Sequence, residues 1–241
     1  MSEEIHEEPK SPVYQRILRW TTTFLVPLVL ILGTIRLMLF PWFLEVEYRT
    51  PGFPADTYGF TFAERLYWSK ISLAYLTNDA GIESLANLHF PQGQLVPEPS
   101  CSFAEDCTAI YNARELRHLV DVKNIIHIAI WALWIGVALL VFIGLLAWRG
   151  KWLANYRRAM ALGGWLTGAL MLGIIVFVLL AFGVIFVWFH EIFFPPGTWT
   201  FYYSDTLIRL FPQRFWRDAF LVVAGVPALI GVGLGYFLDR R

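Results

Sequence analysis

The chain has 241 residues, of which 57% are hydrophobic and only 16% are charged, and its formal net charge is zero. Soluble domains carry about 25% charged residues, so this composition excludes an ordinary soluble protein and indicates one that lies in a lipid bilayer. Aromatic residues reach 17%, which is typical of proteins with many side chains at membrane interfaces. The balanced charge gives no basis for a nucleic-acid partner, and we expect none.

Four apolar stretches are each near or above the roughly 18–20 residues that a helix needs to cross a bilayer. The first carries one charge, Arg36, and the fourth is rich in glycine, which allows close contact between helices. The third is longer than a bilayer requires and is expected to tilt or to emerge at the interface. The sequence therefore predicts transmembrane helices at about 20–44, 125–148, 159–189 and 220–238.

Basic residues cluster before the first predicted span, between the second and third, and at the end of the chain. Cytoplasmic loops carry an excess of Lys and Arg, so these three sites predict a cytoplasmic tail at 1–19, a cytoplasmic loop at 149–158 and a cytoplasmic end at 239–241. Both termini are then inside. The residues that set this orientation are Lys10, Arg16, Arg19, Arg149, Lys151, Arg157, Arg158, Arg240 and Arg241.

Two segments remain on the opposite side of the membrane. Residues 45–124 are long enough for a small extracytoplasmic cap, with helical patterns at 62–77 and 111–123. Residues 190–219 complete it and are dense in aromatic residues, which favours either strands or an interfacial bed between cap and bilayer. The predicted fold class is an all-α integral membrane protein with four transmembrane helices and a small mixed cap.

Both cysteines, Cys101 and Cys107, lie in the larger extracytoplasmic segment. Outside the cytoplasm an oxidised pair is stable, and five intervening residues form a loop that closes easily. A disulfide between them is therefore expected. The alternative is two free surface thiols, because connectivity does not follow from sequence.

Among five histidines, His118 has the most suggestive neighbours. On a helix, residues three apart share a face, so Glu115, His118 and Asp121 form one stripe. A carboxylate beside an imidazole fixes its tautomer and raises its basicity, as a general base requires. The alternative is an N-terminal helical turn whose charges are merely solvated at the interface.

His190 ends the third predicted span and emerges on the same side as His118, at a similar depth. An ionisable residue in such an apolar setting is a functional candidate, although it can also serve as an interfacial anchor. Glu115, His118, His190 and Glu191 are adequate metal ligands, but a His-Glu-x-x-His pairing is missing, and no metal or cofactor is predicted. The sequence also lacks a Gly-x-Ser-x-Gly nucleophile motif and a Gly-rich phosphate loop.

Several strings resemble a bacterial integral membrane family that contains lipoprotein intramolecular transacylase. They are Glu-x-x-His-Leu-x-Asp-Val-Lys at 115–123, Phe-His-x-Ile-Phe-Phe at 189–194, Trp199, Asp205-x-Leu207 and Leu210-Phe211-Pro212-x-x-Phe215-Trp216, with Tyr58-Gly59-Phe60, Glu64-Arg65 and Tyr111-Asn112 upstream. The resemblance covers most of the chain from the first span onward. The acidic N-terminal extension and the Pro-rich stretch at 91–107 depart from the family pattern.

The resemblance implies four helices under a cap, with catalytic histidines at His118 and His190. It implies an acyltransferase of the bacterial cell membrane that moves the sn-2 acyl chain of a diacylglyceryl-lipoprotein to the α-amine of its N-terminal cysteine, giving a lyso-form lipoprotein. The expected partners are this diacylated lipoprotein and the bilayer lipids. We expect His118 to be the base and His190 the acid. Supporting roles are expected for Glu115, Asp121, Lys123, Trp199 and Asp205, with Lys123 a candidate to stabilise the oxyanion.

A second hypothesis is a non-catalytic membrane protein that binds lipid, lipoprotein or metal at the same interface. In an enzyme, replacing either histidine by alanine abolishes acyl transfer with little loss of folded protein. In a binding protein the same changes alter stability or affinity, and no product forms even with the wild type.

Overall fold

A computed structural model of the chain describes residues 12–92 and 106–240. These residues form eight helices and one isolated antiparallel bridge, between His89 and Ala109. We number the helices in chain order: α1 Val13–Met38, α2 Pro41–Glu47, α3 Phe62–Thr77, α4 Glu83–Ala86, α5 Ala113–Arg149, α6 Leu153–Phe193, α7 Thr206–Leu210 and α8 Gln213–Asp239.

The four long helices, α1, α5, α6 and α8, are each long and apolar enough to cross a membrane. Helices α5 and α6 are much longer than a bilayer crossing requires. Helix α5 has 37 residues and α6 has 41, so each is about 55–60 Å long against a hydrocarbon core of about 30 Å. The surplus length carries the start of α5 and the end of α6 into the layer where the cap lies. We call the end of the bundle with Arg149 and Lys151 the basic end.

Small residues let the helices approach one another near the basic end. A Cβ on Gly164 of α6 would collide with the backbone oxygen of Gly231 in α8, and a Cβ on Gly163 would lie 2.7 Å from the backbone oxygen of Thr23 in α1. Such close contact between backbones is how membrane helices associate when lipid is as apolar as their side chains. Helices α1, α6 and α8 therefore form a tight core of the bundle.

Helix α6 is interrupted at Ala181, whose backbone (φ −146°, ψ 46°) is not helical. The last twelve residues of α6 consequently follow a different axis from the rest. This part of the helix carries Phe186 and His190 toward the cap. Since neither proline nor glycine stands at residue 181, sequence pattern alone does not indicate the kink.

We define the cap as residues 41–92, 106–112 and 194–212. One hydrophobic cluster joins α3 to the start of α5 and to α7, through Trp68, Tyr111, Leu119 and Leu210 among others. A second joins α2 and α3 to α8, where Phe43 packs edge-on against Phe215. Within the described residues the aromatic segment 190–219 forms helix ends, coil and α7 rather than strands. An interfacial bed between cap and bilayer, the other structure expected for it, stays a prediction.

The disulfide expectation concerns Cys101, which lies outside the described residues. Cys107 is exposed near the isolated bridge. The pairing of the two thiols stays a prediction.

Candidate active site

The start of α5 is fixed by a capping box that also reaches the cap. Asn112 accepts hydrogen bonds from the backbone N–H groups of Arg114 and Glu115, and the Glu115 carboxylate accepts one from the Asn112 N–H at 2.8 Å. The second Glu115 oxygen accepts from the Leu207 N–H at 2.7 Å. Because Glu115 is only 1% exposed, these bonds tie the first turn of α5 to α7 in a setting that is shielded from water.

A second buried carboxylate, Asp205, holds the aromatic loop. It accepts hydrogen bonds from Asn112 Nδ2 at 3.0 Å, Arg114 Nη2 at 2.9 Å and the Tyr202 N–H at 2.9 Å. The Arg114 guanidinium also lies over the ring of Tyr202, 5.0 Å from its centroid. Bonds that involve a charged group are stronger than neutral ones. We call Asn112, Arg114, Glu115 and Asp205 the polar network.

His118 and His190 lie opposite each other beside the polar network. His118 lies one turn after Arg114 on α5, and His190 lies in the last turn of α6. The two imidazole rings are nearly parallel, with an interplanar angle of 20° and centroids 6.1 Å apart. Two ionisable rings from separate helices thus face each other at the cap end of the bundle.

Aromatic rings surround the pair on several sides. Phe194 lies 4.7 Å from His118 and 5.4 Å from His190, centroid to centroid, and so contacts both. Phe201 lies 5.3 Å from His118, while Phe186 and Trp199 lie 4.2 Å and 5.0 Å from His190. These rings present an apolar surface on several sides of the two imidazoles. We call the two histidines with Phe186, Phe194, Trp199 and Phe201 the histidine site.

The hydrogen bonds of the two histidines differ. His190 Nδ1 is 2.7 Å from the backbone oxygen of Phe186. A carbonyl oxygen only accepts, so Nδ1 must carry the proton, and in the neutral ring Nε2 then holds the lone pair. His118 Nδ1 is buried and has no hydrogen-bond partner among the described residues. The tautomer of His190 is therefore set by the backbone, and that of His118 is not.

The remaining residues expected at the site lie in different places. Trp199 contacts His190 directly, whereas the Lys123 ammonium donates to the Ala80 oxygen at 2.6 Å and lies over the ring of Tyr75. Asp121 is partly exposed on α5. Glu115 and Asp205 belong to the polar network beside the site and do not touch the imidazoles. The spacing that put Glu115 and His118 on one helix face therefore did not reveal where the carboxylate points.

Sequence reasoning missed Arg114. Its partner Asp205 is 91 residues away, so no local pattern links the two. The sequence does contain one feature that could have identified Arg114 as a site residue. It lies one turn before His118, on the same helix face.

Comparison with known proteins gives the family. Residues 20–216 match the family described as lipoprotein intramolecular transacylase Lit. The chain belongs to this family. An uncharacterized protein of Aquifex aeolicus is 31% identical over 197 residues, which cover 79% of this chain and 78% of the relative.

Two solved structures share the architecture. One is the membrane integral lipoprotein intramolecular transacylase Lit from Bacillus cereus, with a TM-score of 0.69 and 17% identity over 94% of this chain and 96% of that one. The other is a histidine-to-arginine variant of the same protein, with a TM-score of 0.64 and 17% identity over 94% and 92% of the two chains. The predicted family and the predicted all-α integral membrane fold with four spans are confirmed.

Proposed function

We propose that this chain moves the sn-2 acyl chain of a diacylglyceryl-lipoprotein to the α-amine of the same lipoprotein's N-terminal cysteine, using His118 and His190 as acid and base. The observation that carries the proposal is the pair of near-parallel imidazoles, 6.1 Å apart, inside aromatic walls at the cap end of the bundle. Membership of a family of lipoprotein acyltransferases supplies the substrate class.

His190 is the better base. An amine attacks an ester only in its neutral form, and its nitrogen becomes cationic as the C–N bond forms, so a base must take a proton from it. The bond from His190 Nδ1 to the Phe186 oxygen leaves Nε2 as the proton acceptor. Neither Glu115 nor Asp121 bonds to His118, which removes the reason for choosing His118 as base. This reverses the assignment that the sequence favoured.

His118 then acts as the acid. Collapse of the tetrahedral intermediate breaks the bond between the acyl carbon and the glyceryl oxygen, and this oxygen leaves as an alcohol if His118 protonates it. One proton thus passes from the nitrogen to His190, and another passes from His118 to oxygen. Amine and ester become amide and alcohol, and a proton exchange between the two histidines restores the starting state.

Proximity supplies a large part of the rate. The amine and the ester belong to one molecule, so binding only has to hold them in an attack-competent geometry. The aromatic walls of the histidine site suit the acyl chain, and the bilayer accommodates the rest of the lipid. A lyso-form lipoprotein with an N-acyl cysteine is the product.

We place the histidine site on the extracytoplasmic face of the bacterial cytoplasmic membrane. Arg149 and Lys151 mark the opposite end of the bundle, and the positive-inside rule assigns that end to the cytoplasm. Both termini then face the cytoplasm, and the cap faces the compartment in which lipoproteins are anchored by their lipid.

The proposal is tested by tandem mass spectrometry of a lipoprotein N-terminal peptide, from a bacterial host without its own N-acylating enzyme. Intramolecular transfer conserves mass, so fragmentation must locate one acyl chain on nitrogen or on glycerol. Wild-type protein should give N-acyl fragments, and His118→Ala and His190→Ala should each lower the transfer rate by about 10²–10⁴-fold. His127→Ala is the matched control, since His127 lies on α5 outside the histidine site.

Fragments that stay O,O-diacyl with well-folded wild-type protein would overturn the proposal and favour a lipid- or lipoprotein-binding protein. If His118→Ala and His190→Ala transferred the acyl chain as fast as His127→Ala, the protein would be a transacylase whose mechanism does not use these two histidines.

A further inference from the structure

Six buried side-chain polar atoms have no hydrogen-bond partner among the described residues, and three of them belong to the histidine site or touch it. They are His118 Nδ1, Trp199 Nε1 and Arg114 Nε. A buried indole N–H normally finds a partner, because leaving it unpaired costs free energy. Unpaired donors beside a catalytic pair are expected where a substrate atom accepts the hydrogen bond.

We infer that the indole N–H of Trp199 donates to the acyl carbonyl oxygen of the substrate and stabilises the oxyanion of the tetrahedral intermediate. This inference rests on the proposed acyl transfer and adds a third catalytic group to the two histidines. The C=O bond of the ester becomes C–O⁻ when the amine adds, and the negative charge returns to the C=O bond when the glyceryl oxygen leaves. Trp199 holds that charge and transfers no proton.

The position of Trp199 fits this role. Its ring lies 5.0 Å from the ring of His190, at an interplanar angle of 36°. An acyl carbon attacked by an amine that His190 deprotonates must lie close to His190, and its carbonyl oxygen must lie close to the carbon. The ring of Trp199 contacts His190, so its N–H belongs to the neighbourhood in which that oxygen must lie.

Trp199 is also held in place before substrate arrives. The preceding residue, Thr198, donates from both its N–H and its hydroxyl to the Pro195 oxygen, at 3.3 Å and 2.9 Å. On the other side of Trp199, Asp205 anchors the Tyr202 N–H. Donors that are fixed in advance stabilise developing charge most effectively, since nothing reorganises during the reaction.

The cations near the site are less suited to this task. The Lys123 ammonium donates to Ala80 at 2.6 Å. The Arg114 guanidinium is paired with Asp205 and lies over Phe201 and Tyr202. A neutral indole donor in an apolar site binds a ground-state ester weakly and an oxyanion strongly, and this difference is what accelerates a reaction.

The test measures acyl-transfer kinetics of the full-length protein in detergent with a synthetic diacylglyceryl lipopeptide. Trp199→Phe keeps an aromatic ring against His190 and deletes the N–H. We expect kcat to fall about 10²–10³-fold, which is typical for the loss of one oxyanion donor, with KM changed less than about threefold. Trp188→Phe is the matched control and should retain wild-type kcat, because Trp188 is 53% exposed on α6 and packs against Phe177.

A second variant separates the N–H from the shape of the ring. Replacement of Trp199 by 3-(3-benzothienyl)alanine, incorporated by codon suppression, exchanges N–H for sulfur and keeps the bicyclic ring. A loss of kcat equal to that of Trp199→Phe supports the inference. Wild-type kcat in the benzothienyl protein overturns it and makes Trp199 a packing residue. If the wild type itself transfers no acyl chain, the proposed function fails first, so the two failures are distinguishable.

Discussion

The basic end of the helix bundle and the polar network under the cap are stabilised by different interactions. At the basic end, Gly163, Gly164 and Gly231 bring the backbones of α1, α6 and α8 into direct contact. In the polar network, the side chains of Glu115 and Asp205 are 1% and 2% exposed. Glu115 accepts a hydrogen bond from the Leu207 N–H, and Asp205 accepts one from Arg114. Each bond joins residues that are more than 90 positions apart in the sequence. Packing at the basic end therefore depends on glycines, which have no side chain, whereas the polar network depends on a few charged side chains.

Because of this difference, we expect the basic end to determine the stability of the protein and the polar network to determine its activity. Close packing of small residues sets how the bundle assembles, and the proposed acyl transfer assigns no role to a group there. The polar network carries the loop with Trp199 and Phe201 and so sets where the walls of the histidine site lie. We expect damage at the basic end to remove folded protein, and damage to the polar network to remove activity from protein that still folds.

The largest effect on folding is expected from Gly164→Val. A Cβ at this position would collide with the backbone of α8, and backbone yields less than a side chain does. We expect folded, monodisperse protein to fall at least tenfold, measured by fluorescence-detected size-exclusion chromatography after detergent extraction. Overpacking of this kind costs about 1–3 kcal/mol or more.

Gly173→Val is the matched control for that change. It lies on the same helix, and among the described residues a Cβ there would meet no atom within 4 Å beyond its own helical turn. Wild-type yield is expected. Equal loss from both variants would mean that α6 rejects β-branched residues in general and that its contact with α8 is not the cause.

Asp205→Ala is expected to affect activity and not folding. The change leaves the Arg114 guanidinium without its carboxylate and frees the loop that carries Trp199 and Phe201. We expect the rate of N-acylation to fall about 10²-fold, since small displacements of positioning groups have effects of this size. Yield and elution volume in detergent should stay close to those of the wild type.

Asp106→Asn serves as the control for Asp205→Ala, because Asp106 lies in the cap as well but its side chain is 52% exposed beside His89. It should retain wild-type activity. Unfolding of the Asp205→Ala protein would contradict the comparison, since it would show that the polar network supports the bundle as well as the histidine site.

Sequence reasoning predicted the four spans and singled out the two histidines because both depend on local patterns. The spans are confirmed, and the catalytic role of the histidines stays a prediction. Helix length and hydropathy define the spans, and the positions of His118 and His190 at helix ends follow from them. The contact expected between Glu115 and His118 is not made, because the Glu115 carboxylate binds the backbone N–H groups of Asn112 and Leu207. A local signal for this did exist. Asn112-x-x-Glu115 is a capping box, and such a carboxylate turns back toward backbone N–H groups instead of along the helix to the next turn.

Other parts of the site depend on contacts between distant residues. The pairing of Arg114 with Asp205 joins α5 to the loop before α7, and the kink at Ala181 sets the direction of the helix end that carries His190. The tautomer of His190 depends on a backbone carbonyl one turn earlier, which every helix supplies, and only the side-chain rotamer decides whether the ring uses it. A single sequence does not specify these features.

A pH-dependent effect on stability is expected at the cap end of the bundle, where Glu47 lies close to Asp218 near the start of α8. Glu47 ends α2 and is 4% exposed, and one of its carboxylate oxygens has no hydrogen-bond partner among the described residues. Burial, followed by repulsion from Asp218, raises the pKa of Glu47 from 4.5 to about 7, against the opposing effect of Arg214 and Arg217. Between these two pH values the folded protein holds a proton that the unfolded chain has released.

Stability should therefore fall as the pH rises from about 4.5 to 7, by up to about 3 kcal/mol from this group. Glu47→Gln removes the dependence, so its Tm in detergent should exceed that of the wild type by up to roughly 6–12 °C at pH 8 and match it at pH 4.5. Glu45→Gln is the control, because hydrogen bonding to Lys70 lowers the pKa of Glu45 and its loss cannot raise the Tm at pH 8. A Tm of Glu47→Gln below that of the wild type at pH 8 would contradict this prediction, because it would mean that Glu47 is ionised and paired in the folded protein.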